Sequence, residues 1–404
     1  MQPTETNIFL KNIAQTSPFP FLLEIERAEG IYLHSTNGNK YMDLISGVAV
    51  SNLGHQHPKV VNAIKEQLEK HMHIMVYGEY VQSSVNKLAR ILVENLPQHL
   101  NSVYFCNSGA ESIEGALKLA KRVTGRTELL AFKGAYHGST HGALSISANE
   151  KKKYRFRPLL PDVRFLRLNK FEDLNLISRK TACVVIETIQ GDAGVRIPER
   201  KFLEALRKKC NETGTLLIMD EIQSGIGRTG KLFAFEHFGV EPDILCTAKA
   251  LGGGLPLGAF IADKNHMDLF TKQPMLGHIN TFGGNPMSCA AAAATLEVIL
   301  EGNFLNEVER KGEKIENLIN HPSIVEIRRK GMMFAFEFET EEIVGRIVEN
   351  CLENGVICFW FLSCPNSFRI APPLTINDEE IEKACKVINE AIEKAVKLIN
   401  NDQS

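Results

Sequence analysis

The sequence has no surplus of either charge and no long apolar stretch. Its 404 residues include 46 Lys and Arg against 48 Asp and Glu, which gives a formal net charge of −2. Nucleic acids and acidic membranes attract clustered positive charge, so neither is expected as a main partner. The longest run of small apolar residues, Cys289 to Leu296, is much shorter than the roughly 20 residues that span a bilayer. We also expect no signal peptide, because residues 1–10 lack a basic segment followed by an apolar one.

Cysteine pairs at the spacing of metal or redox sites are also missing. The nine cysteines form no Cys-x-x-Cys motif, and several lie in apolar runs such as 182–185. Buried, reduced thiols in a cytoplasmic protein are the simplest interpretation. His55 and His57, and also His71 and His73, have no carboxylate or cysteine at a spacing that completes a zinc site. No metal is therefore expected.

Short apolar segments alternate with amphipathic segments through the first 290 residues. The predicted strands are 103–105, 128–132, 183–187, 216–220 and 244–247, and the predicted helices are 59–70, 83–95, 108–122 and 199–213. This order is typical of an α/β domain with a mostly parallel sheet. Ligands of such domains bind beyond the carboxyl ends of the strands.

After Pro286 the pattern changes to that of a smaller α+β unit. An Ala-rich helix is predicted through Leu300, alternating strands around Gly331, and an amphipathic helix over 381–398. We predict an N-terminal arm at 1–16 and a large α/β domain at 50–290. Residues 17–49 and 291–404 are predicted to form a discontinuous small domain.

A polar segment, Asn107 to Glu111, follows one predicted strand and opens a helix. Unpaired N–H groups and the dipole at a helix N-terminus favour a phosphate, and the Ser108 hydroxyl adds a donor. Ser108 and Glu111 also have the spacing of an ordinary capping box. The segment alone leaves both interpretations open.

Asp220 and Lys249 stand at the ends of two other predicted strands. Asp220 follows four apolar residues, and an acid at that depth needs a metal, a positive side chain or a protonated ring nitrogen as its partner. Lys249 lies shortly before three glycines, and burial there makes a lysine amine more nucleophilic. A structural ion pair at Asp220 and a surface position for Lys249 are the alternatives.

The segment from Gly225 to Lys231 has the spacing of a dinucleotide-binding fingerprint and nearly that of a nucleotide phosphate loop. Leu232 stands where the phosphate loop needs Ser or Thr, and residues 221–224 separate the first glycine from the strand end. We therefore predict a glycine-rich surface turn here.

Eight motifs taken together resemble the class III pyridoxal-phosphate aminotransferases of fold type I, in particular the acetylornithine, ornithine and 4-aminobutyrate aminotransferases. The resemblance runs from about Phe21 to Leu398. The motifs are 107–111, 136–138, 187–191, 220–225, 227–230, 248–254, 281–286 and 368–374. The family implies an α/β fold, with a large domain built on a mostly parallel central sheet and a smaller α+β domain.

The resemblance implies a site for pyridoxal 5′-phosphate. Lys249 matches the catalytic lysine that forms the internal aldimine, and Asp220 matches the acid that pairs with the pyridine nitrogen. The other cofactor-binding matches are Ser108, Gly109 and Ala110 at the phosphate, Tyr136 on the ring face, Glu187 near the ring, Gln223 at the ring hydroxyl, and Thr281 at the phosphate of the neighbouring subunit. A homodimer with shared sites follows from the last of these.

Three further positions concern the substrates. Arg369 resembles the arginine that binds the α-carboxylate of 2-oxoglutarate or glutamate, to which a planar guanidinium is well suited. Asp192 stands where related enzymes carry a glutamate that pairs with this arginine. Ser139 stands where acetylornithine and ornithine enzymes usually carry an arginine for the far carboxylate of the donor. Among basic residues nearby in the sequence, Lys133 and Arg155 are the candidates to replace it.

The resemblance therefore implies a cytoplasmic transaminase. It would move the terminal amino group of an ω-amino acid or diamine to 2-oxoglutarate. An aminomutase or racemase on the same fold is the alternative reaction, although the carboxylate-binding Arg369 argues against it. A non-catalytic cofactor-binding protein is the alternative outside enzymes.

Overall fold

The computed structural model describes residues 4–402, with side chains described up to residue 398. Residues 1–3 of the predicted arm and residues 403–404 of the predicted small domain lie outside the described residues. Within the arm, a helix spans Glu5–Asn12, and the Thr4 side chain caps it by accepting a hydrogen bond from the Asn7 backbone N–H.

A seven-stranded sheet forms the centre of the chain. Its strands in spatial order are Ser102–Cys106, Gly258–Ala262, Ile244–Thr247, Leu216–Asp220, Thr181–Glu187, Glu128–Phe132 and Val163–Leu166. Only Gly258–Ala262 runs antiparallel to its neighbours. The predicted α/β fold with a mostly parallel central sheet is confirmed.

Helices cover both faces of this sheet. Along Thr181–Glu187, Val184 and Ile186 belong to one core, whereas Cys183 and Val185 belong to the core on the opposite face. The α-helices that accompany the sheet are Ser46–Ala49, Pro58–Leu68, Ser83–Glu94, Gly109–Thr124, His141–Ile146, Glu150–Lys153, Arg200–Thr213, Lys264–Met267 and Pro286–Glu301.

Two smaller sheets lie in the remaining parts of the chain. One contains Ile25–Glu29, Tyr32–Ser35, Lys40–Asp43 and Val356–Ile357; the other contains Glu326–Lys330, Met333–Glu337, Ser367–Ile370 and Phe359–Trp360. Helices Phe304–Leu318, Glu341–Glu353 and Asp378–Asp402 accompany them. Their apolar side chains form a core separate from the two cores of the central sheet.

The helix Pro286–Glu301 crosses the predicted domain boundary at residues 290 and 291. Its buried side chains join the core of the central sheet, and it packs against the helices Pro58–Leu68 and Ser83–Glu94. The next helix, Phe304–Leu318, contributes instead to the core of the smaller sheets. We propose the same three-part division of the chain, with this boundary placed between the two helices.

The glycine-rich turn at Gly225 to Lys231 does not lie on the surface, so that part of the prediction is wrong. Arg228 and Thr229 are fully buried. The Arg228 guanidinium donates hydrogen bonds to the Asn52 side chain and to the carbonyl oxygens of Met332 and Pro372. The turn therefore joins the central sheet to the second part of the chain.

No single helix within residues 4–402 has both the length and the apolar character needed to cross a membrane. Helices Pro286–Glu301 and Phe304–Leu318 satisfy the length and hydropathy criteria only as a pair, and a bend of 74° separates them.

Candidate active site

A cavity of about 310 Å³ lies at the carboxyl edge of the central sheet. Glu187 and Asp220 pair in register at the ends of adjacent parallel strands, and Lys249 lies two residues beyond the end of Ile244–Thr247. The cavity is lined by Gly109, Ala110, Tyr136, His137, Gly138, Ser139, Glu187, Ile189, Asp192, Asp220, Ile222, Gln223, Ser224 and Lys249. Nine of the twelve predicted site residues are in this set; Ser108, Thr281 and Arg369 are not.

Asp220 is buried and held on both carboxylate oxygens. Oδ1 accepts a hydrogen bond from the Ile222 backbone N–H at 3.0 Å, and Oδ2 lies 2.7 Å from Nδ1 of the fully buried His137. Burial lowers the pKa of His137, but the hydrogen bond and the charge of Asp220 outweigh it, with help from Glu187, and the net pKa is raised. The short contact with His137 therefore holds the Asp220 carboxylate in place.

Glu187 is a second buried acid at the same edge. Its two carboxylate oxygens accept hydrogen bonds from the backbone N–H groups of Tyr136 at 2.7 Å and Gly191 at 2.8 Å. Burial raises the pKa of Glu187 to about 7, against the opposing charge of His137. The carboxyl group thus fixes the two loops that carry Tyr136 and Gly191.

Lys249 is partly buried and stands beside these acids. Burial lowers the pKa of its amine, and Arg369 lowers it further, although Asp220, Glu187 and Asp192 act in the opposite direction. A lowered pKa increases the fraction of neutral, nucleophilic amine. Its backbone φ of 47° is in the left-handed region, which a non-glycine residue adopts at an energetic cost.

Ser108 caps the helix Gly109–Thr124 and accepts a hydrogen bond from the Glu111 backbone N–H at 3.2 Å. The Glu111 carboxylate reaches back to the backbone and side-chain N–H groups of Asn107. Ser108 is therefore an N-cap, but the reciprocal bond of the predicted capping box goes to Asn107 instead of Ser108. The cap is compatible with anion binding, because Gly109 and Ala110 begin the helix at the cavity wall.

Gln223 also lines the cavity and packs tightly on Gly191. A Cβ atom at position 191 would be 1.9 Å from Gln223 Oε1, so glycine leaves room for the glutamine in this position. The motif 187–191 and the motif 220–225 are therefore complementary in shape.

Tyr136 and Ser139 line the outer part of the cavity. Their hydroxyl oxygens are 3.2 Å apart, and both residues are exposed. Tyr136 is 39% exposed, so part of its ring is accessible to a flat ligand.

Arg369 is buried on the strand Ser367–Ile370, with its guanidinium over the rings of Phe359 at 5.6 Å and Phe361 at 5.4 Å. Burial lowers the pKa of Arg369, and the charge of Asp192 opposes this. Its buried Nε has no hydrogen-bond partner among the described residues. A buried guanidinium with free donors is suited to a carboxylate ligand.

Asp192 forms its hydrogen bonds with residues other than Arg369. Oδ2 accepts from Ser363 Oγ at 2.7 Å and from Lys152 Nζ at 3.3 Å, and Oδ1 accepts from the Leu362 backbone N–H at 3.2 Å. These partners lie on the side of Asp192 that leads to a neighbouring cavity. Asp192 therefore influences Arg369 by charge while it is bonded to other groups.

Thr281 lies away from this cavity. It is exposed, and its hydroxyl is 3.3 Å from the hydroxyl of Tyr77. Tyr77 lines a separate, open cavity of about 860 Å³. Within one chain, Thr281 is thus not grouped with Lys249 and Asp220.

His137 and Lys152, which contact the predicted acids Asp220 and Asp192, had no predicted role. His137 was part of the motif 136–138, but nothing in the sequence indicates that a residue 83 positions from Asp220 contacts it. Lys152 lies in the run Lys151 to Lys153, which reads as an exposed charged segment. In the part of the chain that is described, no group of three or more His, Cys, Asp or Glu side chains is placed to hold a metal ion.

The comparison with protein families decides which kind of site this is. The model of aminotransferase class-III matches residues 13–392. The chain belongs to the class-III aminotransferases. It is 41% identical to acetylornithine aminotransferase of Methanopyrus kandleri over 370 residues, which are 90% of this chain and 92% of the relative. It is 38% identical to acetylornithine aminotransferase of Bacillus subtilis, over 90% of this chain and 93% of the relative.

Solved structures of aminotransferases share the whole fold. An ornithine aminotransferase from Toxoplasma gondii superposes with a TM-score of 0.89 at 29% identity, covering 96% of this chain and 93% of that chain. The adenosylmethionine-8-amino-7-oxononanoate aminotransferase of Methanocaldococcus jannaschii gives the same score and identity, with 96% and 98% covered. This class-III aminotransferase is a pyridoxal-phosphate-dependent transaminase.

The residues of the cavity fit that cofactor. The start of the helix Gly109–Thr124 is suited to a phosphate, the buried Asp220–His137 pair to a protonated ring nitrogen, and the amine of Lys249 to an aldehyde. A Cβ atom on Gly138 would be 2.7 Å from the Ala110 Cβ, so glycine at this position lets the backbone approach the helix start closely.

Proposed function

We propose that this aminotransferase moves the terminal amino group of an ω-amino acid of the acetylornithine or ornithine type to 2-oxoglutarate. The observation that carries the proposal is the grouping of Lys249, Asp220 and the helix start at Gly109 around one cavity, with a buried Arg369 nearby that has free donors. The names of the relatives at 38–41% identity support the choice of donor class.

We propose that the inner end of the cavity holds the cofactor. When bound, pyridoxal phosphate supplies an electron sink that stabilises negative charge on the reacting carbon. Asp220, supported by His137, would keep the ring nitrogen protonated. Ser108, with the N–H groups of Gly109 and Ala110, would bind the phosphate.

Three side chains would orient the ring. Tyr136 would stack on its face, and Gln223 would hydrogen-bond its hydroxyl group. Glu187 fixes the backbone of Tyr136 and of Gly191 beside Gln223, so it acts by positioning both.

Lys249 would hold the cofactor aldehyde and then act as base and acid. Because burial lowers the pKa of the amine, Nζ would accept the proton that leaves the substrate carbon and would then donate it on the cofactor side. The acids around it prevent the pKa from falling further, so the protonated form also remains accessible.

Arg369 would bind the α-carboxylate of 2-oxoglutarate with two parallel hydrogen bonds. Asp192 would modulate this arginine through its charge, since its hydrogen bonds are taken by Ser363, Leu362 and Lys152. Ser139 would face the far end of the donor.

We further propose a homodimer in which Thr281 completes the partner's cofactor site. Its exposed hydroxyl, remote from the cavity of its own chain, supports this arrangement. We place the reaction in the cytoplasm, because all nine cysteines are free and buried.

The test is a screen of amino donors with 2-oxoglutarate, in which glutamate formation is followed. We expect acetylornithine and ornithine to be the better donors among acetylornithine, ornithine, 4-aminobutyrate and a simple alkylamine. Absence of glutamate with every ω-amino donor would overturn the proposal. Rearranged or racemised amino acid in place of glutamate would indicate the aminomutase or racemase reaction.

A further inference from the structure

A second cavity of about 360 Å³ adjoins the cofactor cavity. It is lined by Ala135, Tyr136, Ser139, His141, Leu144, Ser147, Asn149, Lys152, Phe156 and Ser363. Tyr136 and Ser139 line both cavities, so the two cavities meet at these residues. The volume is in the range of small-molecule pockets, so part of a substrate can extend into it.

Lys152 is the only lysine or arginine among the residues that line this second cavity. Its Nζ is 5.6 Å from the ring centroid of Tyr136, and its side chain is about one-third exposed. Lys133 and Arg155, the candidates from the sequence, line neither cavity. Lys152 is therefore placed to meet the far end of a molecule that reacts beside Lys249.

Neutral polar groups surround the same position. Asn149 Nδ2 donates a hydrogen bond to Ser363 Oγ at 3.2 Å, and the hydroxyl groups of Tyr136 and Ser139 are where the two cavities meet. A cation with an amide and hydroxyl groups around it provides several donors for one carboxylate.

The ion pair between Lys152 and Asp192 does not prevent this role. Asp192 keeps two further donors, Ser363 Oγ and the Leu362 backbone N–H. Lys152 can therefore bind a ligand while the buried Asp192 carboxylate keeps hydrogen-bond donors. The pair is also long, at 3.3 Å, so a ligand carboxylate competes with it readily.

We propose that Lys152 binds the far carboxylate of the amino donor, and that donors with an anionic far end are preferred for this reason. This inference rests on the proposed function, because it assumes that an ω-amino acid reacts at Lys249. Lys152 would then supply the positive charge for the far carboxylate that Ser139 does not provide.

The experiment compares Lys152→Met with Lys151→Met, a control at an exposed neighbour that lines neither cavity. Two matched donors are used: acetylornithine, and N-acetylputrescine, which has the same chain without the carboxylate. Single turnovers without acceptor are followed through the absorption of the cofactor. We expect Lys152→Met to lower the second-order rate constant of the single turnover with acetylornithine by ~10–100-fold. This is the effect of a lost charge-assisted hydrogen bond. The value for N-acetylputrescine should change by less than about threefold.

A binding measurement separates this role from a structural one. N-acetylnorvaline is acetylornithine without the reacting amine, and its affinity for the holoenzyme can be measured by calorimetry. Lys152→Met should weaken it by about tenfold or more, and Lys152→Arg should restore most of the loss. Equal losses for both donors, or unchanged binding of N-acetylnorvaline, would overturn the inference. If wild-type enzyme forms no glutamate from any ω-amino donor, the proposed function fails as well; if it does and only the Lys152 results are negative, this inference alone is wrong.

Discussion

The inner and outer ends of the active-site cavity differ in how firmly their side chains are held. At the inner end, the side chains of His137 and Asp220 are 0% and 4% exposed, and Glu187 is buried with both carboxylate oxygens bonded to backbone N–H groups. At the outer end, Tyr136 and Ser139 are exposed, and Lys152, in the adjoining second cavity, has one long ion pair. The inner end is therefore built to keep one geometry, whereas the outer end can adapt to a ligand.

The difference follows from where the residues lie in the fold. Glu187 and Asp220 terminate adjacent strands in the middle of the central sheet, and the sheet register fixes their separation. Ser139 and Lys152 lie in a segment of short helices, His141–Ile146 and Glu150–Lys153, outside the sheet. Rigid strands suit chemistry that tolerates little displacement, and loops beside them suit substrate choice.

The largest effect is expected for Lys249→Ala at the inner end. The variant loses a proton-transfer group, which alone costs roughly 10²–10⁴-fold in turnover, and it also loses the covalent attachment. Cofactor should still bind, because the phosphate and ring contacts remain. Turnover and cofactor content are measured together, with Lys264→Ala as the control at an exposed helix start. Borohydride reduction followed by peptide mapping should label Lys249, and a label on another lysine would contradict the assignment.

Asp220→Asn should have the next largest effect on the reaction rate. A neutral amide cannot keep a ring nitrogen protonated, and loss of one such electrostatic interaction costs about 10²–10³-fold in rate. Proton abstraction should slow much more than cofactor binding weakens, as measured by single-turnover kinetics and by cofactor titration. Near-normal activity in this variant would show that Asp220 has a purely structural role.

The strand-end positions of Asp220 and Lys249 could be predicted from the sequence. Asp220 and Lys249 follow apolar strands, so their position at the carboxyl edge of the sheet could be predicted from the strand pattern alone. His137 could not be assigned to Asp220, because the contact depends on how the loop after Glu128–Phe132 folds back. The same holds for Lys152, whose partner Asp192 is 40 positions away.

The fold outside the site shows where sequence patterns are weak. The strand Gly258–Ala262 was not predicted, since it is short, follows a glycine-rich segment and has no alternation, being buried on both faces. The turn containing Arg228 was predicted to be exposed because it is rich in glycine and charge. Its arginine is instead buried by residues from three distant parts of the chain, Asn52, Met332 and Pro372.

A smaller effect is expected for Thr281→Ala, which tests whether the inner end extends across a dimer interface. Loss of one hydrogen bond to a phosphate costs roughly 1.5–3 kcal/mol, or about 10–100-fold in cofactor affinity. Thr271→Ala is the control, because its exposed hydroxyl bonds to the Asp268 carbonyl of its own chain. Unchanged affinity, or a structure with Thr281 at the phosphate of its own chain, would contradict the shared site.

The smallest effect is expected for Ser139→Arg at the outer end. If residue 139 alone determined how tightly the far carboxylate of the donor is bound, adding a guanidinium there would raise kcat/KM for acetylornithine by ~10–100-fold. Because Lys152 lines the second cavity, which Ser139 also lines, we expect the gain to be less than about tenfold in wild-type background and larger in Lys152→Met. The measurement is a double-mutant cycle of Ser139→Arg and Lys152→Met with acetylornithine, and with N-acetylputrescine as the donor that should not respond. Independent effects of the two changes would mean that the side chains do not meet the same carboxylate. In that case the outer end of the cavity would select among donors by their shape instead of their charge.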